Sequence, residues 1–171
     1  MTEPDTLLIP AARPFPNSRL PLLLYRVMLL EDANLIEQAF GTRHWSNAWQ
    51  NGIYRYHHFH STAHEVPGIT SGRVTVRFGG PVGIEVLLAA GDSVVIPAGM
   101  ALCIVHEERR LIVVGAYPGG SSFDTLRGDV SYYPAASNRA TAVPVPDGDP
   151  IPGCEALRRL WRAARPELSI Y

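Results

Sequence analysis

Short apolar runs separated by turn residues fill the middle of the chain, between Gly52 and Pro118. In each run the apolar residues either alternate with polar ones or follow one another directly, as in half-buried and buried β-strands. Turn signals such as Gly79-Gly80-Pro81 separate the runs. The pattern predicts β-strands over residues 54–60, 65–69, 73–78, 84–88, 93–96, 102–106 and 111–117. Because no segment between them has the period and length of a helix, the pattern favours an all-β sandwich or barrel.

The N-terminal flank predicts elements that pack on this β-region. Residues 1–20 are rich in proline, which is typical of an arm that lies along another surface. Residues 21–30 form an apolar run that predicts a buried strand. Residues 32–40 carry an apolar stripe at helical spacing, and Gly41 is placed to end the helix.

The C-terminal flank predicts an irregular excursion followed by a helix. Residues 119–153 are rich in glycine, proline, serine and aspartate. Apolar residues at helical spacing then predict a terminal helix through Leu157, Leu160, Trp161 and Ala164. We expect one domain in three parts: an arm, strand and helix over 1–51, the β-core over 52–118, and the excursion with its helix over 119–171.

The composition fits a globular domain and excludes several kinds of chemistry. Hydrophobic residues make up 46% of the 171 positions and charged residues 18%. All 15 basic residues are arginine, so a Schiff-base lysine, a lysine general base and a P-loop lysine are excluded. The net charge of −1 creates no overall field that would attract nucleic acid or an anionic membrane. We therefore expect neither nucleic acid nor membrane as a partner.

Cysteine usage and the N-terminal residues indicate a cytoplasmic location. Cys103 and Cys154 are the two cysteines, and they are too far apart in sequence for a CxxC pair or a disulfide framework. The first residues are acidic, where a signal peptide would be basic. The longest apolar run, over residues 21–30, is interrupted by Arg26 and is too short to cross a membrane.

Histidines concentrate in one short segment that also carries a carboxylate. His57, His58, His60 and His64 are followed by Glu65. If residues 54–60 form a strand, the side chains of His58 and His60 share one face, because successive side chains alternate. Two such imidazoles can reach one ion, and His64 or Glu65 can supply a third ligand after the turn. Two histidines with one carboxylate suit iron(II) and related divalent metals.

The spacing around these histidines matches a known motif. Gly52, five residues, His58-Phe59-His60, four residues, Glu65, six residues and Gly72 fit the pattern G(x)5HxH(x)3–4E(x)6G. This pattern is the first of the two cupin motifs, and the chain resembles it at every defined position.

A second match follows and extends the resemblance. Gly91, five residues and Pro97-Ala98-Gly99 resemble the opening of the second cupin motif, G(x)5PxG(x)2H(x)3N. The flanks are similar to those of small single-domain bacterial cupin proteins of uncharacterised function. The resemblance implies an all-β fold, a single cupin (RmlC-like jelly-roll) β-barrel with an N-terminal arm and short flanking helices. It also implies a metal held inside the barrel by His58, His60 and Glu65.

The second motif departs from its pattern at both of its later positions. Leu102 occupies the place of the metal-binding histidine, and His106 occupies the place of the asparagine. Strand parity turns Leu102 and His106 to the same face, although four residues of strand, about 13 Å, separate them. Cys103 lies beside the vacancy but points to the opposite face of a regular strand. The fourth customary ligand is therefore missing.

The leading expectation is a metal-dependent enzyme of the isomerase or oxygenase type. One divalent ion of iron, manganese, nickel or zinc would act on a small oxygenated metabolite. His106, His64 and Tyr56 are the candidate catalytic proton carriers. Arg73 and Arg77 share a strand face and are candidates for holding a substrate carboxylate.

The rival expectation is a cupin that binds or senses a small ligand and catalyses no reaction. Leu102 favours this alternative, because it makes the pocket more apolar and leaves the metal site degenerate. In either case the partner is a small molecule. The resemblance also implies a homodimer, for which the proline-rich residues 1–20 could serve as an arm.

Overall fold

A computed structural model describes residues 3–26 and 32–165 of the chain. Within these ranges the strands are β1 (Asp5–Leu7), β2 (Leu22–Tyr25), β3 (Trp45–Asn51), β4 (Val66–Phe78), β5 (Ile84–Ala89), β6 (Ser93–Val95) and β7 (Leu102–Pro118). The helices are α1 (Ala33–Thr42), α2 (Tyr133–Ala142) and α3 (Ala156–Ala164), and a 3-10 turn over Val130–Tyr132 leads into α2. No helix among the described residues combines the length and the apolar character needed to cross a membrane.

The strands form one antiparallel sheet around the two longest strands. The hydrogen-bonded order is β1-β2-β6-β4-β7-β3. Strand β5 pairs with residues 73–78 of β4, on the edge opposite β7. The register between β4 and β7 shifts at three places, and bulges of this kind increase local twist and bend a sheet. Gly72, in the middle of β4, has a φ of 83°, a conformation that glycine adopts without steric cost. The sheet therefore curves sharply enough to enclose an interior.

Alternation along the strands creates two hydrophobic cores, one on each face of the sheet. Leu22 and Leu24 of β2 belong to the inner core, whereas Leu23 and Tyr25 belong to the outer core. The inner core is the interior of the curved sheet. The outer core lies under the helices and includes Trp161 of α3. This architecture, an all-β cupin-type barrel with short flanking helices, is the predicted fold class.

In two places, two successive predicted strands form one continuous strand in the structure. The predicted strands 65–69 and 73–78 both belong to β4, because Gly72 accommodates a bulge and not a reversing turn. The predicted strands 102–106 and 111–117 are likewise joined in β7. The turn signals in these segments thus mark bends within long strands.

The prediction of a regular strand over residues 54–60 is wrong. This segment makes only isolated bridges, His58 with Leu102 and Phe59 with Leu126. The regular strand lies just before it, as β3. Sequence reasoning also missed α2, which interrupts the excursion predicted over 119–153.

The flanking elements follow the sequence closely. Helix α1 begins at an Asp32 cap, whose carboxylate accepts from the backbone N–H groups of Asn34 and Leu35. It runs through Gly41 to Thr42, two residues further than the predicted end at residue 40. The predicted terminal helix is confirmed as α3, and its Leu157 and Trp161 are fully buried.

The N-terminal arm packs on its own chain. β1 pairs with β2, and Ile9 and Phe15 are buried against the barrel. The buried strand predicted over 21–30 is described as β2, while its residues 27–30 lie outside the described part of the chain.

Candidate metal centre

A pocket of about 250 Å³ opens into the interior of the curved sheet. His58, His60 and Glu65, the three predicted ligands, all line it. They are also buried, with exposed fractions of 5%, 9% and 6%. Leu102 forms part of the same wall, as the spacing of the second motif predicts. The structure therefore brings both motifs to one cavity.

Backbone bridges hold the histidine segment against the second motif. His58 and Leu102 exchange two backbone hydrogen bonds of 3.1 and 2.9 Å, and Glu65 and Ile96 exchange two of 3.0 and 2.8 Å. Between these bridges the N–H of Gly99 donates to the carbonyl oxygen of His60 at 2.8 Å. Because both ends and the middle of the segment are fixed, the ligand side chains keep one orientation toward the pocket.

The hydrogen bonds of the two imidazoles determine their tautomers. Nδ1 of His58 lies 3.1 Å from the carbonyl oxygen of Tyr56, and Nδ1 of His60 lies 2.5 Å from that of Asp124. Since a carbonyl oxygen only accepts, each Nδ1 carries the hydrogen. The Nε2 atom of the neutral His58 ring then has a free lone pair, as metal-binding histidines require. Nε2 of His60 contacts the carboxylate of Glu65.

The electrostatic environments of the two rings differ. Burial lowers the pKa of His58, which favours the neutral ring that a metal ion needs. Burial alone would also lower the pKa of His60, but the hydrogen bond and negative charge of Glu65 outweigh it and raise that pKa. Nε2 of His60 lies 2.6 Å from Oε2 of Glu65.

The donor atoms are suited to a divalent cation but are not gathered around one point. Among the described residues, no three histidine, cysteine, aspartate or glutamate side chains already form a cation site. His60 and Glu65 instead contact each other directly, an arrangement that uses a proton where two ligands would share a cation. Two imidazole nitrogens and one carboxylate fit the metals predicted from the sequence once this contact opens.

Asp124 fixes the ligand segment from the other side, and no feature of its sequence surroundings indicated this. Its carboxylate accepts from the backbone N–H of Ser61 at 2.6 Å and from the Ser61 hydroxyl. Arg139 of α2 donates to the same hydroxyl at 2.9 Å. Together with the contact to His60, these bonds tie the loop that carries Phe123 to the histidines.

An aromatic wall, also missed from the sequence, faces the ligands. The rings of Tyr117 and Phe123 stack with centroids 4.4 Å apart, and Phe123 also meets the ring of His60 at 4.8 Å. The indole N–H of Trp49 donates to the hydroxyl of Tyr117 at 2.9 Å. Burial is the main reason that the pKa of Tyr117 is raised, so this phenol stays protonated.

The assignment of His64 as a proton carrier is not supported by its position. Its ring is 1% exposed, and both nitrogens bond to backbone: Nε2 to the oxygen of Pro144 at 3.0 Å, and Nδ1 to the N–H of Ala98 at 2.9 Å. Burial lowers its pKa to about 3. His64 packs on Trp161 with ring centroids 4.7 Å apart. It is therefore a buried neutral residue that joins the helical cover to the barrel.

The prediction that His106 faces inward is wrong. Val76 pairs with Ile104 whereas Thr75 pairs with His106, so β7 contains one extra residue at this point. The bulge reverses the alternation of side chains, and the His106 side chain is 67% exposed on the outer surface. It cannot reach the pocket.

Tyr56 contributes its backbone to the centre and not its hydroxyl. Its carbonyl oxygen orients His58, while its ring stacks on Tyr54 with centroids 4.8 Å apart. The guanidinium of Arg127 covers the ring at 3.8 Å. The ring of Tyr56 therefore lies beside the pocket, where Tyr54 and not Tyr56 forms the lining.

The remaining candidates lie outside the pocket. Arg77 forms an ion pair with Glu85 on the outer face of the sheet, and Arg73 is exposed. Cys103 points away from the pocket as expected, with Sγ 3.7 Å from Nε2 of His57. A carboxylate-binding role for the two arginines is therefore not supported.

The fold and the two motif segments that meet at its pocket define the class of protein: this is a cupin-fold chain. It is 34% identical over 161 residues to the uncharacterized protein YjlB of Bacillus subtilis, a match that covers 93% of this chain and 97% of YjlB. The chain belongs to the family of YjlB. No protein-family model matches it.

Solved structures show more distant similarity. Acireductone dioxygenase from Bacillus anthracis, with a cadmium ion in its active centre, is 16% identical, with a TM-score of 0.40 over 54% of this chain and 62% of its own. A single-substitution variant of oxalate decarboxylase from Bacillus subtilis is 14% identical, with a TM-score of 0.39 over 68% of this chain and 30% of its own. The chain thus spans less than two thirds of either protein, and these similarities concern the fold.

Proposed function

We propose that the chain is a metal-dependent enzyme, of the isomerase or oxygenase type, that acts on a small oxygenated molecule. His58, His60 and Glu65 would hold one divalent ion of iron, manganese, nickel or zinc. The observation that carries this proposal is the pair of Nδ1 hydrogen bonds to backbone oxygens, which holds both buried rings and leaves Nε2 of His58, and Nε2 of His60 once its contact with Glu65 opens, to bind a cation. Burying two imidazoles and a carboxylate is costly, and a bound cation would offset that cost.

A bound metal ion would supply Lewis-acid polarisation of a substrate oxygen or, with a redox-active metal, oxygen chemistry. The protein's own contribution is to bind and orient the substrate. Leu102 and Phe123 give the pocket apolar lining. The hydroxyl of Tyr117, whose oxygen already accepts from Trp49, can donate its proton to a substrate oxygen. Tyr117 thus replaces His64 and His106 as the proposed proton donor in the pocket.

The proposal is tested by loading metal-free protein with iron(II), manganese(II), nickel(II) or zinc(II) in turn. Each form is then incubated with small hydroxy- and oxo-compounds, while oxygen uptake and exchange of substrate protons are followed. Turnover that a chelator stops, and that His58→Ala abolishes while His106→Ala retains it, is the expected result. Turnover that survives in His58→Ala would overturn the assignment.

The second candidate function is a binding or sensing cupin without catalysis. Leu102, 3% exposed and apolar at the position of the fourth customary ligand, favours it. Small-molecule binding that is tight, indifferent to chelators and accompanied by no turnover would support this function over the enzyme.

Homodimer formation and a cytoplasmic location stay predictions. Two apolar side chains on the strands that flank β4 are exposed, Leu87 of β5 at 47% and Val105 of β7 at 40%. Light scattering of the parent and of Leu87→Glu tests the dimer: we expect the variant to be the smaller particle.

A further inference from the structure

Within the described part of the chain, no arginine lines the pocket, and the whole sequence has no lysine. The pocket's carboxylate, Glu65, already has His60 as its partner at 2.6 Å. The remaining polar lining consists of imidazole, hydroxyl and amide groups. A ligand that carries a carboxylate or phosphate would therefore find no arginine or lysine counter-ion there.

The arginines of the surrounding segments are held by other partners. Arg55 pairs with Glu107, Arg77 pairs with Glu85, Arg127 covers the ring of Tyr56, and Arg139 donates to Ser61. None of these four arginines is among the residues that line the pocket. Each would have to give up its present partner to reach it.

Flat apolar surfaces make up most of the rest of the lining. Phe123 and Tyr117 form a stacked pair on one side, at an interplanar angle of 18°. Trp49 and Leu102 line the pocket as well. Gly115 makes room for the indole, because a Cβ atom there would lie 2.1 Å from Cε2 of Trp49. Such walls favour a planar ring, which stacks or meets them edge to face.

The volume limits the ligand to about one ring. The pocket measures about 250 Å³, whereas an apolar cavity of roughly 150 Å³ is enough to bind benzene. A single ring with a few oxygen substituents fits, and a nucleotide or a fused polycyclic compound does not.

The Tyr117 hydroxyl indicates that the ring carries oxygen substituents. The oxygen of Tyr117 accepts the indole N–H of Trp49 at 2.9 Å, so its own O–H is available as a donor. His58 and Glu65 line the same cavity.

We propose that the pocket binds a small, uncharged, single-ring molecule bearing hydroxyl oxygens, a phenol or benzenediol in chemical class. The aromatic wall takes the ring, the Tyr117 hydroxyl donates to one oxygen, and the lack of an arginine or lysine counter-ion in the described lining disfavours carboxylated analogues. The contact of a second oxygen with a metal ion rests on the proposed function, whereas the preference for an uncharged ring does not.

The test compares matched neutral and carboxylated probes by calorimetry on the full chain. Zinc-loaded protein, which is redox-inert, is titrated with catechol and with 3,4-dihydroxybenzoate, and metal-free protein is titrated with phenol and with benzoate. We expect the neutral probe of each pair to bind at least about tenfold more tightly, because the carboxylate loses its hydration without gaining a partner. Equal or tighter binding of the carboxylated probes, or failure of both neutral probes to bind, overturns the proposal.

Variants of the wall give the second half of the test. Phe123→Ala and Tyr117→Phe should weaken the neutral probes by about three- to tenfold. Thr125→Arg places a cation in the lining. It should reduce the preference for phenol over benzoate by about tenfold. Tyr132→Ala, a change at a residue that is 61% exposed away from this pocket, is the matched control. An unchanged preference in Thr125→Arg contradicts the charge argument.

The two proposals fail in different ways. If the chain retains no zinc but metal-free protein still prefers phenol to benzoate, the metal-dependent function fails and the ligand class stands. If zinc binds at His58 and His60 but the carboxylated probes are preferred, the ligand class fails and the metal centre stands.

Discussion

Nε2 of His60 lies 2.6 Å from Oε2 of Glu65, while Nδ1 of the same ring contacts the backbone oxygen of Asp124. The ring is therefore held at both nitrogens, by a fixed carbonyl on one side and by a side chain that can move on the other. A cation that enters the pocket has to displace only the second contact. The orientation of His60 thus persists whether or not a metal ion is bound.

Glu65→Gln separates the contribution of Glu65 to metal affinity from its contribution to the stability of the fold. The amide has nearly the same size and can still donate to Nε2 of His60, so we expect the free energy of unfolding to change by less than about 1.5 kcal/mol. Metal affinity should fall by at least about tenfold, because a neutral amide is a weaker ligand than a carboxylate. Competition with a chelating dye measures the affinity. Glu107→Gln, which removes a surface carboxylate paired with Arg55, should behave as the parent, and unchanged metal affinity in Glu65→Gln would argue against its role as a ligand.

Asp124→Ala tests the tie between the aromatic loop and the histidines. The change removes the acceptor for the N–H and hydroxyl of Ser61, and we expect a loss of about 2 kcal/mol in the free energy of unfolding. Hydrogen exchange over residues 121–126 should accelerate. Metal affinity should fall by about 10- to 100-fold, because the backbone carbonyl of residue 124, which still accepts from His60, is no longer fixed by the bonds to Ser61.

The control for Asp124→Ala is Asp129→Ala. The Asp129 carboxylate accepts from Ser131 in the neighbouring 3-10 turn and makes no contact with the pocket lining. This variant should keep the metal affinity of the parent. If Asp124→Ala also kept it, the loop would not orient the centre.

His64→Ala should destabilise the fold without emptying the centre. The change leaves the N–H of Ala98 and the oxygen of Pro144 without partners and opens a gap against Trp161. We expect a loss of about 3 kcal/mol in the free energy of unfolding, measured by urea denaturation. Metal content per folded molecule should stay at the parental level. A variant that is as stable as the parent but lacks metal would instead make His64 a ligand.

Tyr25 makes the fold sensitive to alkaline pH. Its hydroxyl donates to Asp149 at 2.6 Å, and burial together with the Asp149 charge raises the pKa of Tyr25 far above its usual value. The protonated phenol is thus favoured in the folded state. The stabilisation is complete below the unfolded pKa, near pH 10, and falls above it by up to about 1.4 kcal/mol per pH unit.

Tyr25→Phe should remove part of this alkaline slope. Tyr117, Cys103 and Cys154, whose pKa values are also raised by burial, contribute in the same direction. Unfolding free energies measured between neutral pH and pH 11 check the slope. The exposed Tyr132→Phe should leave it unchanged. An identical slope in Tyr25→Phe would show that the buried pair with Asp149 does not control it.

Motif spacing in the sequence was enough to bring His58, His60, Glu65 and Leu102 to one cavity. Local backbone geometry explains this success, since the bridges from His58 to Leu102 and from Glu65 to Ile96 fix both ends of one short segment. That these residues bind a metal ion stays a prediction.

The residues that sequence reasoning missed act over long separations or through irregular backbone. Asp124 reaches Ser61 across 63 positions, and nothing in its own polar surroundings indicates that contact. His106 was placed inward by strand parity, which a single bulge reverses. No motif singles out Tyr117 or Trp49 in the sequence, and their mutual hydrogen bond at the pocket wall depends on how β3 and β7 pair in the fold.

Metal content of untagged protein, purified without a chelator and measured by mass spectrometry, tests the central claim most directly. The parent is compared with the double variant His58→Ala/His60→Ala and with His106→Ala, an exposed histidine outside the pocket. About one equivalent of a divalent metal in the parent and in His106→Ala, with almost none in the folded double variant, is the predicted result. Equal metal content in the parent and the double variant, or no metal in a parent dialysed against each candidate ion, would contradict the account.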